Sequence, residues 1–407
     1  MRDFDLDSVA PDAKVGYIIE CDLEYPASIH DLHNDYPMAP EHLTVTREML
    51  SPFAANLLEC RPSPSPSRDR SGRPWTPTQK LVPNLFDKSK YVSHYRNLQL
   101  YTKHGLKITK IHRILSFVQS PWLKSWIDLC NQQRRAATSE FHSDLAKLQA
   151  NATFGKTMEQ VRHRVNIRLI ADPNRLTKAV SKVTFRQSEI INQDLVMVRS
   201  ARTKIKLNKP IAVGFCILEL SKVIMYTFFY EHLKAKYAER CTLLFTDTDS
   251  LCCQITTHDL YDDMGQMMDQ LDTSNFPVDH PQYSQKNRRV LGKFKSETGS
   301  MAPKEFVGLR AKMYSLWVPG DATKCHKKAK GIQKHYVKTR VRHQQFLDVL
   351  RNSKQTTTAK FRGFRSTKHV INTVEMKKLC LCAFDDKRYV LEDGIRTLAY
   401  GHYSLRK

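Results

Sequence analysis

Two short apolar runs on either side of a polar segment predict a β-hairpin near the middle of the chain. The runs are 243–245 and 251–255, and the tip between them begins Thr-Asp-Thr-Asp. Aspartate suits turns because its side chain hydrogen-bonds nearby backbone, so turn chemistry alone is one reading of this tip. The hairpin has no basic residue, however, and two crowded carboxylates repel each other unless a hard cation lies between them. Because Mg²⁺ is usually held by one or two carboxylates plus substrate phosphates, Asp247 and Asp249 are candidate metal ligands.

A period of about 100° per residue predicts a helix over 141–155. Four apolar side chains share one stripe, which has the spacing of a helix packed on a core. They are Phe141, Leu145, Leu148 and Ala152. Lys147, Asn151 and Phe154 share another stripe, where a cation, an amide and a ring could bind a triphosphate, a base pair and a sugar. By periodicity alone, such a stripe is more often a solvated face. Arg134 and Arg135 add positive charge just upstream.

Other segments complete a mixed pattern of strands and helices. Residues 15–21 read as a strand, and 210–238 predict a helix that is buried over much of its surface and leads into the hairpin. Residues 306–318 predict one strand with Lys312 and Tyr314 on the same face.

Three segments stand out by composition. Residues 60–78 alternate Pro and Ser with Arg, which predicts a disordered insertion because such a sequence cannot bury a core. Aromatic and basic residues interleave from 80 to 119, which suits stacking on nucleic-acid strands; a solvated face with buried tyrosines is the alternative. From 324 onward the chain is basic and its pattern is predominantly helical.

Charge narrows the class of protein. The 407 residues include 65 Lys and Arg against 41 Asp and Glu, for a net charge of +24 and a pI near 9.6. Such an excess is typical of proteins that bind polyanions, with nucleic acid as the first candidate and an anionic membrane as the second. No segment approaches the run of about 18 apolar residues of a spanning helix, and the N-terminus lacks the order of a signal peptide. These features predict a soluble, intracellular protein.

The ten cysteines are scattered along the chain, with one adjacent pair, one C-x-C and no C-x-x-C. This spacing favours neither structural zinc nor a disulfide framework. We therefore expect reduced cysteines that pack in the core.

Three motifs resemble those of family B DNA polymerases. F-T-D-T-D-S (245–250) resembles the family's Y-x-D-T-D-S, and K-L-Q-A-N-A-T-F-G (147–155) resembles K-x-x-x-N-S-x-Y-G. K-M-Y (312–314) resembles the K-x-Y motif of the protein-primed branch, and the three occur in the family's order. The wider text is most similar to polymerases of Polinton/Maverick-type transposons. That similarity is carried by D-L-E-Y-P (22–26), H-D-L-H-N-D-Y-P (30–37), K-L-V-P-N-L (80–85), F-G-K-T-M-E (154–159), L-F-T-D-T-D-S-L-C (244–252) and L-A-Y-G-H-Y (398–403).

The resemblance implies an α+β fold of the right-hand polymerase type, in which an antiparallel sheet with helices forms the palm and the fingers and thumb are helical. The implied boundaries are a partial palm at 1–59, the insertion at 60–78, fingers and a connecting region at 79–209, the palm with both the D-T-D-S hairpin and the K-x-Y strand at 210–318, and the thumb at 319–407.

The resemblance also implies a role for each motif residue. Asp247 and Asp249 would be the palm carboxylates that hold two Mg²⁺ ions, with Mn²⁺ as an alternative. The side chains assigned to the incoming dNTP are Arg135, Lys147, Asn151 and Phe154. Those assigned to the primer end are Lys312 and Tyr314. Phosphoryl transfer depends mainly on positioning and charge stabilisation, which is why these residues are acids and cations rather than nucleophiles.

The chain departs from the family pattern at three places. Phe154 stands where the family has Tyr, so a stacking ring is kept and a hydroxyl is lost. The T-x-x-A/G-R element is not visible around 213–220. The family's third carboxylate comes from D-x-x-S-L-Y-P, whose Asp lies five residues before the Tyr; here Glu20 has that place, and Asp22 lies three before Tyr25. We therefore expect an N-terminally truncated palm, fingers and thumb that begins after its own first catalytic Asp.

Two functions of different classes remain open. The first is a template-directed DNA polymerase, or the polymerase half of a longer product, that replicates a mobile element by using Mg²⁺ to extend a protein-linked or a DNA primer. Its partners would be primer-template DNA and dNTPs, with a terminal priming protein if the primer is protein-linked, and no membrane. The second is a catalytically inactive remnant that still binds primer-template DNA through its basic surface. An RNA-templated enzyme is a third reading, disfavoured because the other family B motifs accompany D-T-D-S.

Overall fold

The computed structural model describes residues 4–59, 75–319, 325–367 and 370–405. Most of the insertion predicted at 60–78 lies outside the described residues. With 32% helix and 30% strand, the chain has the mixed helix-and-sheet class that the sequence predicts. It divides into two compact units. Unit 1 joins 1–122, 219–359 and 377–407, and unit 2 joins 123–218 and 360–376.

The strands are β1 (Val15–Glu24), β2 (Glu41–Thr44), β3 (Gln79–Val82), β4 (Lys88–His94), β5 (Lys107–Val118), β6 (Asn166–Ile170), β7 (Phe185–Asn192), β8 (Leu195–Ser200), β9 (Cys241–Thr246), β10 (Leu251–Ile255), β11 (Leu271–Asp272), β12 (Phe294–Lys295), β13 (Glu305–Arg310), β14 (Met313–Trp317), β15 (His326–Ala329), β16 (Thr357–Thr367), β17 (Val370–Leu381), β18 (Tyr389–Val390) and β19 (Thr397–Leu398). The α-helices are α1 (His30–His33), α2 (Pro52–Glu59), α3 (Tyr95–Lys103), α4 (Lys124–Ala136), α5 (Glu140–Thr157), α6 (Pro173–Val180), α7 (Ile211–Thr227), α8 (Ala235–Tyr237), α9 (Leu260–Gly265), α10 (Lys334–Arg340) and α11 (His343–Arg351).

A three-stranded antiparallel sheet in unit 1 has the strand order β4-β1-β5. β1 buries every second side chain from Ile19 through Leu23, as expected of a strand with one face on the core. α3 contacts this sheet, and its Tyr95 and Tyr101 are fully buried. Of the two readings of 80–119, buried tyrosines are the correct one at these two positions.

A long helical segment leads into the predicted hairpin. α7 continues as the π-helix Phe228–Lys234 and then as α8, and β9 begins at Cys241. Phe229 and Tyr230 are buried, whereas Ile211 is 63% exposed. The prediction of a helix buried over much of its surface therefore holds for the second half and is wrong for the first.

One helix among the described residues is an exception to the expectation that no segment could span a membrane. Ile211–Arg240 is long and apolar enough to cross a membrane, judged by length and composition. The core helices of soluble proteins pass the same test. Glu219, within this span, is buried and accepts hydrogen bonds from Ser93 and Asn97.

Residues 306–318 form two strands rather than the predicted one. β13 and β14 pair antiparallel and are connected by residues 311–312. The buried positions are Val307 and Leu309 on β13, and Met313 and Ser315 on β14. All four have odd numbers, so the two-residue turn, in which Ala311 and Lys312 are exposed, keeps the buried positions of β14 in phase with those of β13. For this reason the sequence pattern predicts a single strand where the structure has a hairpin.

The basic segment after 324 is less helical than its pattern predicts. α10 and α11 are present, but β16 and β17 follow them as long strands of one sheet. Lys and Arg are good helix formers, which favoured the helical reading. Along β16, however, Ala359 and Phe361 are buried while Lys360 between them is exposed, and that alternation is the pattern of a strand.

All nine described cysteines are free, as the sequence predicts. Five of them are buried: Cys21, Cys130, Cys241, Cys380 and Cys382. The other four are half-buried, so the core assignment is correct for five of the nine.

Candidate active site

The antiparallel pair of β9 and β10 confirms the predicted hairpin. The amide of Asp247 donates to the carbonyl of Ser250 at 3.1 Å, so Thr248 and Asp249 form a two-residue turn. Asp249 is exposed and Asp247 is half-buried. The hairpin thus has two carboxylates at its tip, one on each side of Thr248. A backbone hydrogen bond of the hairpin closes this turn.

Thr248, between the two aspartates, has a backbone conformation that its side chain disfavours. Its φ is +61°, and a β-branched residue in the left-handed region costs on the order of 1–3 kcal/mol. The amide of Asp249 donates to the carbonyl of Asp247 at 2.7 Å across this residue. Such strain persists where the surrounding structure enforces it, and it concentrates at functional sites.

A second hairpin brings a cation to the first. Lys312 lies in the turn between β13 and β14 and also has a positive φ, of +60°. Its carbonyl accepts from the amide of Lys330 at 3.1 Å, which ties the turn to the end of β15. The side-chain nitrogen of Lys312 lies 2.9 Å from Oδ1 of Asp247. The K-x-Y and D-T-D-S segments therefore meet in unit 1.

Aromatic rings join the same two hairpins. The rings of Phe245 and Tyr314 stack with centroids 4.2 Å apart and planes 24° from parallel. Phe306 lies on the other strand of the second hairpin, and its ring is 5.7 Å from that of Phe245. Burial, and next the negative charge of Asp247, raise the pKa of Tyr314. The tyrosine is therefore a neutral hydroxyl at physiological pH, close enough to the tip to sense its charge.

The ion pair between the hairpins shows where the two side chains lie, but it contributes little to stability. The side chain of Lys312 is 54% exposed and that of Asp247 is 33% exposed. Pairs in such surroundings contribute little to stability because water screens them. The exposure leaves both groups accessible to a ligand from solvent.

The tip can be tested as a site for Mg²⁺ from its donor atoms. Asp249 offers an exposed carboxylate, and Asp247 offers one whose Oδ1 is held by Lys312. Within the described ranges, no group of three or more His, Cys, Asp and Glu side chains could hold a metal ion. Two carboxylates suffice for Mg²⁺ when substrate phosphates supply further oxygens. The donor set therefore fits a metal that arrives with a nucleotide better than a permanently bound one.

The two acidic residues near the family's third carboxylate position have partners on their own sheet. Glu20 Oε2 forms an ion pair with Nε of Arg113, 3.2 Å away. Asp22 lies 2.8 Å from Nε2 of His112 and accepts the amide of Lys90 at 2.7 Å. The Lys90 amide, and next His112, lower the pKa of Asp22. Both carboxylates are thus engaged within the sheet of β4, β1 and β5.

The residues assigned to the dNTP lie in unit 2, on a pair of helices. Arg135 is exposed at the end of α4, and Lys147 and Asn151 are exposed on α5. Phe154 is half-buried. The spacing of the last three positions puts them on one face of α5, because residues three and four apart are neighbours on a helix. Asp247, Asp249, Lys312 and Tyr314 all lie in unit 1.

The apolar stripe predicted on α5 does not pack on a core. Phe141 is 70% exposed and Leu148 is 62% exposed, while Leu145 and Ala152 are also exposed. The buried position of this helix is Ala146. α5 contacts α4, and small side chains suit close packing between two helices better than the large apolar ones do.

Two residues beside the hairpin were missed by motif analysis. Asp35 Oδ2 accepts the amide of Leu243, in β9, at 3.2 Å. Burial raises the pKa of Tyr36, and the side chain of Thr246, next to Asp247, opposes that rise. Asp35 and Tyr36 belong to the H-D-L-H-N-D-Y-P segment, which carries the resemblance but suggests no role for any single residue. An acidic and an aromatic residue just before a proline were the available signal.

No protein-family model matches the chain, and no curated protein matches it. Two solved structures of phi29 DNA polymerase are similar to it. One, complexed with primer-template DNA and incoming nucleotide substrates, has 13% identity and a TM-score of 0.46, with 91% of this chain and 50% of that chain covered. The other, with primer-template DNA, has 13% identity, a TM-score of 0.42, and coverage of 92% and 52%. The chain thus spans about half the length of that polymerase.

Proposed function

We propose that this chain is the polymerase part of a DNA-directed DNA polymerase, which adds dNTPs to a primer 3′-hydroxyl on a DNA template. The observation that carries the proposal is the meeting of two motifs. Lys312 of K-M-Y lies 2.9 Å from Asp247 of D-T-D-S, and Tyr314 stacks on Phe245 at 4.2 Å. A turn alone would explain two aspartates that are one residue apart; it would not explain a cation and a ring from a distant hairpin beside them.

Each hairpin has a proposed task. Asp247 and Asp249 would hold Mg²⁺, which when bound activates the primer hydroxyl and neutralises charge on the phosphates. Lys312 would release Asp247 when the metal and nucleotide arrive, and its ammonium would then contact a primer phosphate. Tyr314, held flat by its stack on Phe245, would position the primer end. Phosphoryl transfer of this kind gains most from positioning and electrostatic stabilisation.

The second unit would supply the nucleotide contacts, on the strength of the resemblance. Arg135 and Lys147 would neutralise the triphosphate, and Asn151 with Phe154 would line the nascent base pair. The net charge of +24 is consistent with a long contact to nucleic-acid backbone. Protein priming and an origin in a Polinton/Maverick-type transposon belong to this proposal, as do a palm at 210–318 and a thumb at 319–407.

Primer extension tests the proposal directly. The purified chain is mixed with a labelled primer-template, Mg²⁺ and four dNTPs, beside Asp247→Asn and Asp249→Asn variants. Asp194→Asn is the matched control, because Asp194 is an exposed aspartate between β7 and β8. We expect extension by the wild type and by Asp194→Asn, and a loss of at least about 100-fold in the other two variants. Equal extension by all four proteins would refute the proposal.

The second candidate is an inactive chain that binds primer-template DNA. It is favoured by the absence of a third metal-binding carboxylate near the tip among the described residues. In that case the wild type extends no primer, but binds the DNA with an affinity that falls steeply as salt rises. Fluorescence anisotropy between about 50 and 200 mM salt measures this binding. Salt-dependent binding without primer extension identifies the second candidate, and binding with extension identifies the first.

A further inference from the structure

One edge of β9 faces away from its partner strand. Among the described residues, β9 pairs with β10 and with no other strand. An edge strand leaves backbone donors and acceptors without ladder partners. β9 runs directly into Asp247, so whatever contacts this edge also sets the position of the hairpin tip.

A side chain of one short segment occupies that edge. Asp35 Oδ2 accepts the amide of Leu243 at 3.2 Å. Leu243 lies within β9, which ends at Thr246, directly before Asp247. The segment thus contacts β9 a few residues before the hairpin tip.

The helix that precedes β9 holds this segment in place. The hydroxyl of Tyr230 donates to the carbonyl of Tyr36 at 2.6 Å, and that of Tyr226 donates to the carbonyl of Pro37 at 3.0 Å. The rings of Tyr36 and Tyr226 lie 4.5 Å apart. These hydroxyls are buried with the helix, so the segment has little freedom to shift.

The C-terminal part of the chain fixes the segment from its other end. Arg388 donates to the carbonyl of Asn34 at 2.9 Å, and the amide of Ala399 donates to Asn34 Oδ1 at 2.8 Å. The side chain of Asn34 returns a bond to the carbonyl of Thr397 at 3.3 Å. Asp35 is therefore presented to β9 by a backbone that is bonded on both sides.

We infer that Asp35 is a positioning residue for the carboxylate hairpin. Its hydrogen bond with the Leu243 amide holds the free edge of β9 and so fixes where Asp247 and Asp249 stand. A displacement of about 1 Å at reacting groups can lower a rate about 100-fold. This inference rests on the proposed function for its effect on catalysis, while its effect on the hairpin is independent of activity.

Hydrogen exchange tests the contact itself. We expect the Leu243 amide to exchange about tenfold faster in Asp35→Ala than in the wild type, because the acceptor of its hydrogen bond is lost. Asp35→Asn keeps a side-chain oxygen and should restore most of the protection. Asp31→Asn is the control in the same segment, since Asp31 contacts Tyr403 instead of the hairpin. The amide of Ile19 in β1 reports global opening. Unchanged exchange at Leu243 in Asp35→Ala would overturn the inference.

Primer extension and Mg²⁺ titration test the consequence. Asp35→Ala should slow extension by about tenfold and raise the Mg²⁺ concentration at half-maximal rate several-fold, with Asp35→Asn near the wild type. A merely structural role would reduce the amount of folded enzyme and leave the Mg²⁺ dependence unchanged, and that result would overturn the inference. If the wild type extends no primer, the proposed function fails. The inference is then decided by Leu243 exchange and by Mg²⁺-induced chemical-shift changes of the tip amides, which should need more Mg²⁺ in Asp35→Ala.

Discussion

The side-chain nitrogen of Lys312 lies 2.9 Å from Oδ1 of Asp247 and so joins the tips of two hairpins. Each tip contains a non-glycine residue with positive φ, Thr248 at +61° in one and Lys312 at +60° in the other. A cation held against one of two candidate metal-binding carboxylates occupies the place that a metal ion would need. Lys312 should therefore oppose metal binding in the free protein and assist the reaction once a nucleotide is bound.

Removal of this cation should separate the two effects. We expect Lys312→Gln to bind Mg²⁺ about fivefold more tightly in the absence of DNA, since a partly exposed ion pair is worth up to about 1 kcal/mol. The same variant should extend primers at least about tenfold more slowly. Isothermal titration with MgCl₂ and single-turnover extension measure the two quantities. Lys304→Gln, an exposed lysine just before β13, should change neither, and a weaker Mg²⁺ affinity in Lys312→Gln would contradict the prediction.

Relief of strain at the tip should stabilise the protein and impair its function. Thr248→Gly removes the side chain that disfavours a positive φ, so we expect the free energy of unfolding to rise by about 1 kcal/mol. Extension should become slower because a glycine loosens the turn between Asp247 and Asp249. Urea denaturation measures the first effect. The control is Thr242→Gly in β9, where the same change should cost about 0.5–1 kcal/mol; a similar loss in Thr248→Gly would show that the tip is not strained.

The parts of the fold that sequence predicts well are those decided within a few residues. The 241–255 hairpin follows from two apolar runs and a turn, and the helix at 141–155 follows from its period. The turn at Lys312 could not be predicted in this way, because a two-residue connection leaves Val307, Leu309 and Met313 all at odd positions, as in a single strand. No neighbouring residue in the sequence indicates that Lys312 has a positive φ.

The site depends on contacts that no local pattern contains. Asp35 meets Leu243, and Lys312 meets Asp247, across long stretches of chain. The motif residues were found through a resemblance, which indicates types and order but not partners. The apolar stripe of α5 shows the opposite failure: Phe141 and Leu148 have the right period for a core face, yet both are exposed and the buried residue of α5 is Ala146.

A buried carboxylate supports the helix that feeds the hairpin. Glu219 in α7 is 3% exposed, and its Oε2 accepts from Ser93 at 2.7 Å and from Asn97 at 2.8 Å. Its Oε1 pairs with Lys222 at 2.6 Å. Burial opposes its charge, but Lys222 and these hydrogen bonds prevail and lower its pKa. We expect Glu219→Ala to lower the free energy of unfolding by about 3–5 kcal/mol, because buried donors lose their acceptor.

Chemical denaturation measures this loss. Glu219→Gln keeps an oxygen for Ser93 or Asn97 and should cost roughly half as much. A cost below about 1 kcal/mol for Glu219→Ala would mean that water replaces the carboxylate.

Buried histidines should make the protein sensitive to mild acid. Burial lowers the pKa of His33 to about 3 and that of His94 to about 4, from 6.5. Because the folded pKa lies below the unfolded one, stability is fully present above about pH 6.5 and falls as pH drops from there towards 4, by up to about 1.4 kcal/mol per pH unit for each histidine. Urea midpoints between about pH 7.5 and 4.5 measure this slope. His33→Gln should reduce this slope, whatever the substitution does to stability at pH 7.5. His258→Gln, at an exposed position, should leave the slope unchanged. An equal slope in the wild type and in His33→Gln would show that folding does not lower the pKa of His33.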